Sequence, residues 1–150
     1  MTIESLVYLF ERDLNRLYTE IESYPDERLL WKVLPGSTNS GGNLALHLIG
    51  NLNHFIGHII GKTDYKRDRE NEFFAKDIAR VEILKGIENC KKEVIDSLRK
   101  FDIHLAQEDF PVQVFQDTFS NEQMIIHLAG HLNYHLGQIN YHRRYFSEFN

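Results

Sequence analysis

The chain is short of several features that would mark other classes of protein. It has a single cysteine, Cys90, so no internal disulfide can form. A reducing, cytoplasmic setting is the expectation that follows. Lysine and arginine never run beyond two adjacent residues, so there is no basic footprint for nucleic acid. Apolar runs are far too short to span a bilayer. The opening MTIESLVYLFERD carries charges inside its apolar stretch and does not read as a signal peptide. What remains is 150 residues, 42% hydrophobic and 26% charged, with a formal net charge of −5. That balance fits one globular domain over 1–150 with a sizeable core and argues against disorder.

Apolar periodicity predicts four long amphipathic helices. The first covers about 3–24, with Leu6, Leu9, Phe10, Leu14, Leu17, Tyr18 and Ile21 at spacings of three and four. Thr2 is placed to cap it and Pro25 to stop it. The second covers about 41–61, behind Ser40 as N-cap, with Leu44, Leu48, Leu52, Ile56 and Ile59 as its stripe. The third covers about 77–101, with Leu84, Ile87, Val94, Leu98 and Phe101 facing inward. The fourth covers about 120–147, where Ser120 and Gln123 form a capping-box pattern and Ile125, Ala129, Leu132, Leu136 and Ile139 the stripe. The connections 25–40, 62–76 and 102–119 are long for simple up-down turns, which predicts at least one crossover and loops that cover an end of the bundle. Within them, KRDRE at 66–70 reads as solvated and VQVF at 112–115 as a short extended piece.

Eight histidines are present, seven of them in the second and fourth helices. HLAGHLNYHLGQI at 127–139 and HLIGNLNHFIGHI at 47–59 align without gaps and share His, Leu, Gly, Leu, Asn, Gly and Ile. With Leu132 at the centre of the apolar stripe, an ideal helix puts His135 about 60° away, His131 about 100° and His127 about 140°, all on one side. His131 and His135 therefore form the i, i+4 pair best placed to share one ion, and His127 drifts outward. A third ligand has to come from elsewhere. His47, His54 and His58 lie within about 40° of one another on the second helix, and spacing does not choose among them.

Packing offers a plainer reading of the same echo. Gly50, Gly57, Gly130 and Gly137 cost roughly 1 kcal/mol each in a helix interior, so they call for close helix contact or for room beside a ligand. Other metal chemistries are absent. There is no HExxH, so no zincin, and no Glu-x-x-His, so no carboxylate-bridged di-iron bundle. A site of three neutral histidines suits Zn²⁺, Ni²⁺ or Fe²⁺ and leaves coordination positions open.

HLNYHLGQI, an H-x3-H followed by Gln, resembles the last helix of the DinB / YfiT-like superfamily. TNSGGNLALHLIGN resembles its second helix, which begins after an Asn-Ser turn and carries one histidine. The resemblance spans essentially the whole chain. It implies an all-α four-helix bundle with up-down-down-up topology and long connecting loops. It also implies a divalent metal, commonly zinc or nickel, on His47, His131 and His135. His127, His54 and His58 then have no ligand role and are packing groups or neighbours of the site. Characterised relatives include metal-dependent transferases and isomerases that use low-molecular-weight thiols such as mycothiol or bacillithiol. The resemblance thus suggests a thiol transferase acting on small electrophiles through a metal-activated thiolate. A metal-dependent hydrolase and a non-catalytic metal-binding interaction module are the alternatives. The family name derives from DNA-damage induction and implies no DNA contact.

Around such a site, Asn51 and Gln138 are candidates to orient a ligand or hold substrate, or else ordinary polar flank residues. Trp31 and Asn39 precede the second helix and are candidates for a rim, with a core anchor the plainer role for Trp31. Cys90 reads as a buried core thiol. Arg143 and Arg144 suit the negative end of the last helix. Tyr145, Phe146 and Phe149 extend past the bundle motif, which suggests a homodimer.

Overall fold

The computed structural model describes residues 2–147. Its helices are α1 (Ile3–Glu22), α2 (Gly41–Leu52), α3 (Arg69–Phe74), α4 (Arg80–Lys100) and α5 (Asn121–Ser147). The expected caps form. Ser5 N–H donates to Thr2 Oγ1 and Asn43 N–H to Ser40 Oγ. Ser120 and Gln123 exchange side chain-to-backbone bonds in both directions, the reciprocal capping box.

Directions follow from contacts between named residues. Arg80, which starts α4, reaches the Glu22 carbonyl at the end of α1, while Lys91 meets Asn15, so α1 and α4 are antiparallel. Asn133 donates to Asp13, and Asn140 and Arg143 donate to Glu20, so α1 and α5 are parallel. His47 meets His131, and a Cβ at Gly41 would lie 3.1 Å from His142 Nδ1, so α2 and α5 are antiparallel. Ile49 of α2 meets the Cβ position of Gly86, and past the end of α2 the Cβ positions of Gly57 and Gly61 face Glu93 and Ser97, so α2 and α4 run together. The order is up-down-down-up. The parallel α2–α4 pair demands a crossover, and residues 61–79 supply it.

Between the four long helices lies one core, with Phe10, Leu14, Leu17, Leu48, Leu52, Ile87, Val94, Leu98 and Ile139 fully buried. Each such side chain stabilises the fold by about 1.5–3 kcal/mol relative to exposure. Cys90 is buried among them, and burial pushes its thiol up to about 12, a core group rather than a nucleophile.

Three expectations need correction. The crossover is not a plain charged loop: Asp68 caps α3 by accepting from Asn71 N–H, and that helix buries Glu72. The second helix does not stay α-helical to its end. It widens into a π-helix over Asn53–Ile60, closed by the Gly61 N–H to Ile56 carbonyl bond at 2.8 Å. Residues 112–115 form no strand, and the only isolated bridge among the described residues joins Asp109 to Ser120. Phe149 lies outside the described residues. Arg143 is drawn to Glu20 at 2.5 Å, tying α5 to α1, and Arg144 lies over the Tyr141 ring.

Candidate metal centre

His47, on the buried face of α2, meets His131 and His135, one turn apart on α5. His131 Nε2 lies 3.3 Å from His47 Nε2 and 3.1 Å from His135 Nε2. Zn–N bonds of about 2.0–2.1 Å at a tetrahedral angle would put neighbouring nitrogens about 3.3–3.4 Å apart. Both separations from His131 are therefore close to those of ligands on one small cation, and ligand atoms of all three residues lie within 4.8 Å of one another.

Hydrogen bonds fix two of the tautomers. His47 Nδ1–H donates to Glu72 Oε2 at 2.9 Å, and His135 Nδ1–H donates to Gln138 Oε1 at 2.6 Å. In the neutral rings, both Nε2 atoms are then bare lone pairs facing His131. A proton on His131 Nε2 can answer only one of them, and a cation answers all three. A doubly protonated His131 is disfavoured: burial, then the neighbouring imidazoles His135 and His47, pushes its pKa down to about 4. Burial also lowers His135, with Gln138 opposing. The donor set fits a divalent ion.

Glu72 is the residue that sequence reading missed. Arg67 grips its carboxylate through two bonds of 2.7 and 2.9 Å while His47 donates from the other side. Burial alone would push the Glu72 carboxyl up. The bonds from His47 and Arg67 outweigh that and hold it below the usual range. A carboxylate behind a ligating histidine fixes the ring and raises its basicity. Arg67, read as part of a solvated run, is instead largely buried beside the site, with 13% of its side chain exposed.

The glycine echo divides. A Cβ on Gly50 would lie 2.0 Å from Glu72 Oε1, so this glycine makes room for the carboxylate. Gly130 and Gly137 have nothing within 4 Å of such an atom, so neither lets helices approach closely. The remaining histidines stand apart from the cluster. His127 is half-buried between Phe115 and His131. His54 stacks on His58, whose Nδ1 bonds the Thr63 carbonyl at 2.5 Å. Both lie about two and three turns further along the second helix than His47, away from the level of the triad. His142 is buried on the Tyr24 hydroxyl and the Lys32 carbonyl, a structural tie.

Two cavities border the triad. The first, about 640 Å³, is lined by His135, Gln138, Asn39, Ser37, Tyr134 and Tyr141 among others. The second, about 500 Å³, reaches His47, His131 and Asn51. Trp31 borders neither; its ring covers Gly42, where a Cβ would meet it at 2.9 Å, so it acts as an anchor for the start of α2. No fourth His, Cys, Asp or Glu joins the cluster among the described residues.

The profile of the DinB superfamily matches residues 9–139, and the chain belongs to that superfamily. All three clustered histidines lie inside the matched span. Nothing matches among curated proteins or among solved structures. No helix among the described residues is long and apolar enough to cross a membrane.

Proposed function

We propose that the chain is a metal-dependent enzyme of the DinB superfamily that joins two small molecules, one of them a thiol. The observation that carries this reading is the pair of separate cavities meeting at one three-histidine cluster. A structural ion needs a closed shell and no cavity, whereas group transfer needs open positions and two approaches. A divalent ion held by His47, His131 and His135 would supply Lewis acidity, lowering the pKa of a thiol or water beside it.

The chain's own groups do the rest. Glu72 and Gln138 hold two imidazoles in the tautomer that leaves Nε2 free. Arg67 keeps Glu72 ionised and in place. Ser37, Asn39 and Gln138 give the first cavity polar contacts suited to a polar thiol. The second offers Phe55, Met124 and Leu128 as an apolar wall for the acceptor. The test is a conjugation assay with zinc- or nickel-loaded protein, a panel of low-molecular-weight thiols and a chromogenic electrophile. Turnover lost in His131→Ala supports the reading. Metal bound with no conjugation, alongside cleavage of a chromogenic ester, points to a hydrolase. Metal bound with neither activity points to a binding module.

A further inference from the structure

Gly137 has no packing reason to be a glycine. Glycine weakens a helix interior, and the Cβ position of this one has nothing within 4 Å, so no neighbouring helix needs the space. Unlike Gly130, it borders the first cavity. Of the two uses open to a glycine here, close helix contact and room beside a ligand, only the second is left. Tyr134 and Tyr141 stand three residues before it and four after, on one face of α5, and both border the same cavity with exposed rings. Their spacing puts them about 10.5 Å apart along the helix axis. A ring seated over Gly137 would then lie about 5 Å from the level of each tyrosine, inside the range of about 4.5–7 Å for aromatic pairs.

The lining also limits charge and shape. No Asp, Glu, Lys or Arg borders the cavity, so a charged group placed there loses hydration without gaining a partner. The Leu34 and Leu44 side chains and Gly137 offer nothing to the hydroxyls that surround a sugar ring. Donors stand to one side. Gln138 Oε1 is taken by His135, and one N–H of the same amide reaches the Tyr134 hydroxyl at 3.5 Å, which leaves the second N–H. Thr38 Oγ1 accepts from Asn39 Nδ2 at 3.3 Å, so its O–H is left to donate.

We propose that the first cavity binds an uncharged molecule with a flat unsaturated ring, seated over Gly137 between Tyr134 and Tyr141. A carbonyl or ring nitrogen on that molecule accepts from Gln138 and Thr38. None of these contacts needs an ion. That the occupant is the thiol of the enzyme proposed above rests on that reading. The ring is then the part of the thiol remote from its sulfur, and thiols recognised through carboxylates or phosphates are excluded.

The test is an amide NMR titration of the full chain at about pH 7.5 in a chelator, so that no ion draws a carboxylate. The probes are benzamide, benzoate, benzylamine and methyl glucoside. Benzamide is expected to give saturable shifts at the Gly137 backbone amide and the Gln138 side-chain amide, and to bind about tenfold tighter than benzoate or protonated benzylamine. Methyl glucoside is expected not to saturate. Tyr141→Ala and Gly137→Ala are each expected to weaken benzamide about tenfold. Both positions are exposed, and Gly137→Ala should hold or raise the melting temperature, so loss of binding is not loss of fold. Absence of a saturable shift, equal binding of the charged probes, tighter binding of the sugar, or indifference to both substitutions overturns the assignment. The link to the thiol is tested apart, by offering 4-(mercaptomethyl)benzamide and glutathione to the zinc-loaded chain with a chromogenic electrophile. Preference for the former supports the link and preference for glutathione breaks it. Benzamide bound at Gly137 with neither thiol conjugated overturns the thiol reading and leaves the ligand class of the cavity standing.

Discussion

Glu72 Oε2 and His47 Nδ1 lie 2.9 Å apart, joining a carboxylate on the crossover segment to the histidine that α2 contributes to the cluster. The two residues are 25 positions apart in sequence, and Arg67 completes the arrangement with two bonds to the same carboxylate. The crossover that parallel α2 and α4 require is therefore also what orients one histidine.

That arrangement predicts a graded effect on metal affinity. Glu72→Gln keeps the shape but removes the charge that fixes the His47 tautomer. Zinc affinity, measured by competition with a chromophoric chelator, should fall about 10–100-fold while the helical circular dichroism is retained. Unchanged affinity would show that Glu72 serves the fold alone.

Gly50 and Gly130 should respond to alanine in opposite ways. At Gly50 the new methyl meets Glu72 Oε1 at 2.0 Å and must displace it from His47. Gly50→Ala should lower the melting temperature and weaken zinc binding together. At Gly130 nothing lies within 4 Å, so Gly130→Ala should stabilise by up to about 1 kcal/mol through helix propensity and leave zinc binding unchanged.

Acid should destabilise the metal-free protein through its histidines. Burial depresses the pKa of His142, with the Lys32 carbonyl opposing, and burial with neighbouring imidazoles takes His131 down to about 4. Between about pH 6.5 and about pH 4 the unfolded chain therefore binds more protons than the folded one, and stability falls as pH falls. The contribution is complete above about pH 6.5 and lost through that window. Urea unfolding at pH 7.5, 6 and 5 in a chelator should show falling midpoints. Midpoints that hold or rise would contradict the burial of these rings.

Much of this architecture was legible in the sequence because its signals are local. Three- and four-residue apolar spacing marks α1, α2, α4 and α5, and Thr2, Ser40 and Ser120 mark the starts of α1, α2 and α5. The pair His131/His135 follows from helix geometry alone. The choice of His47 over His54 and His58 did not, because all three share a flank on an ideal helix and which turn of that flank lies level with His131 is set by how α2 packs on α5. Glu72 was hidden for a different reason. A glutamate in a charged run is ordinarily solvated, and its burial depends on Gly50 and Arg67, neither of which marks it by spacing. Asp68 as a cap before RENEFF was the available hint of a helix there.

The central claim is that His47, His131 and His135 hold one divalent ion. The most direct measurement is elemental analysis of tag-free protein purified without chelators, beside His131→Ala, His135→Ala, His47→Ala and His127→Ala. About one equivalent of metal is expected in the parent chain and in His127→Ala, and none in the other three. Loss of the metal in His127→Ala as complete as in the others, or no metal in the parent chain even after adding Zn²⁺ or Ni²⁺, would contradict it.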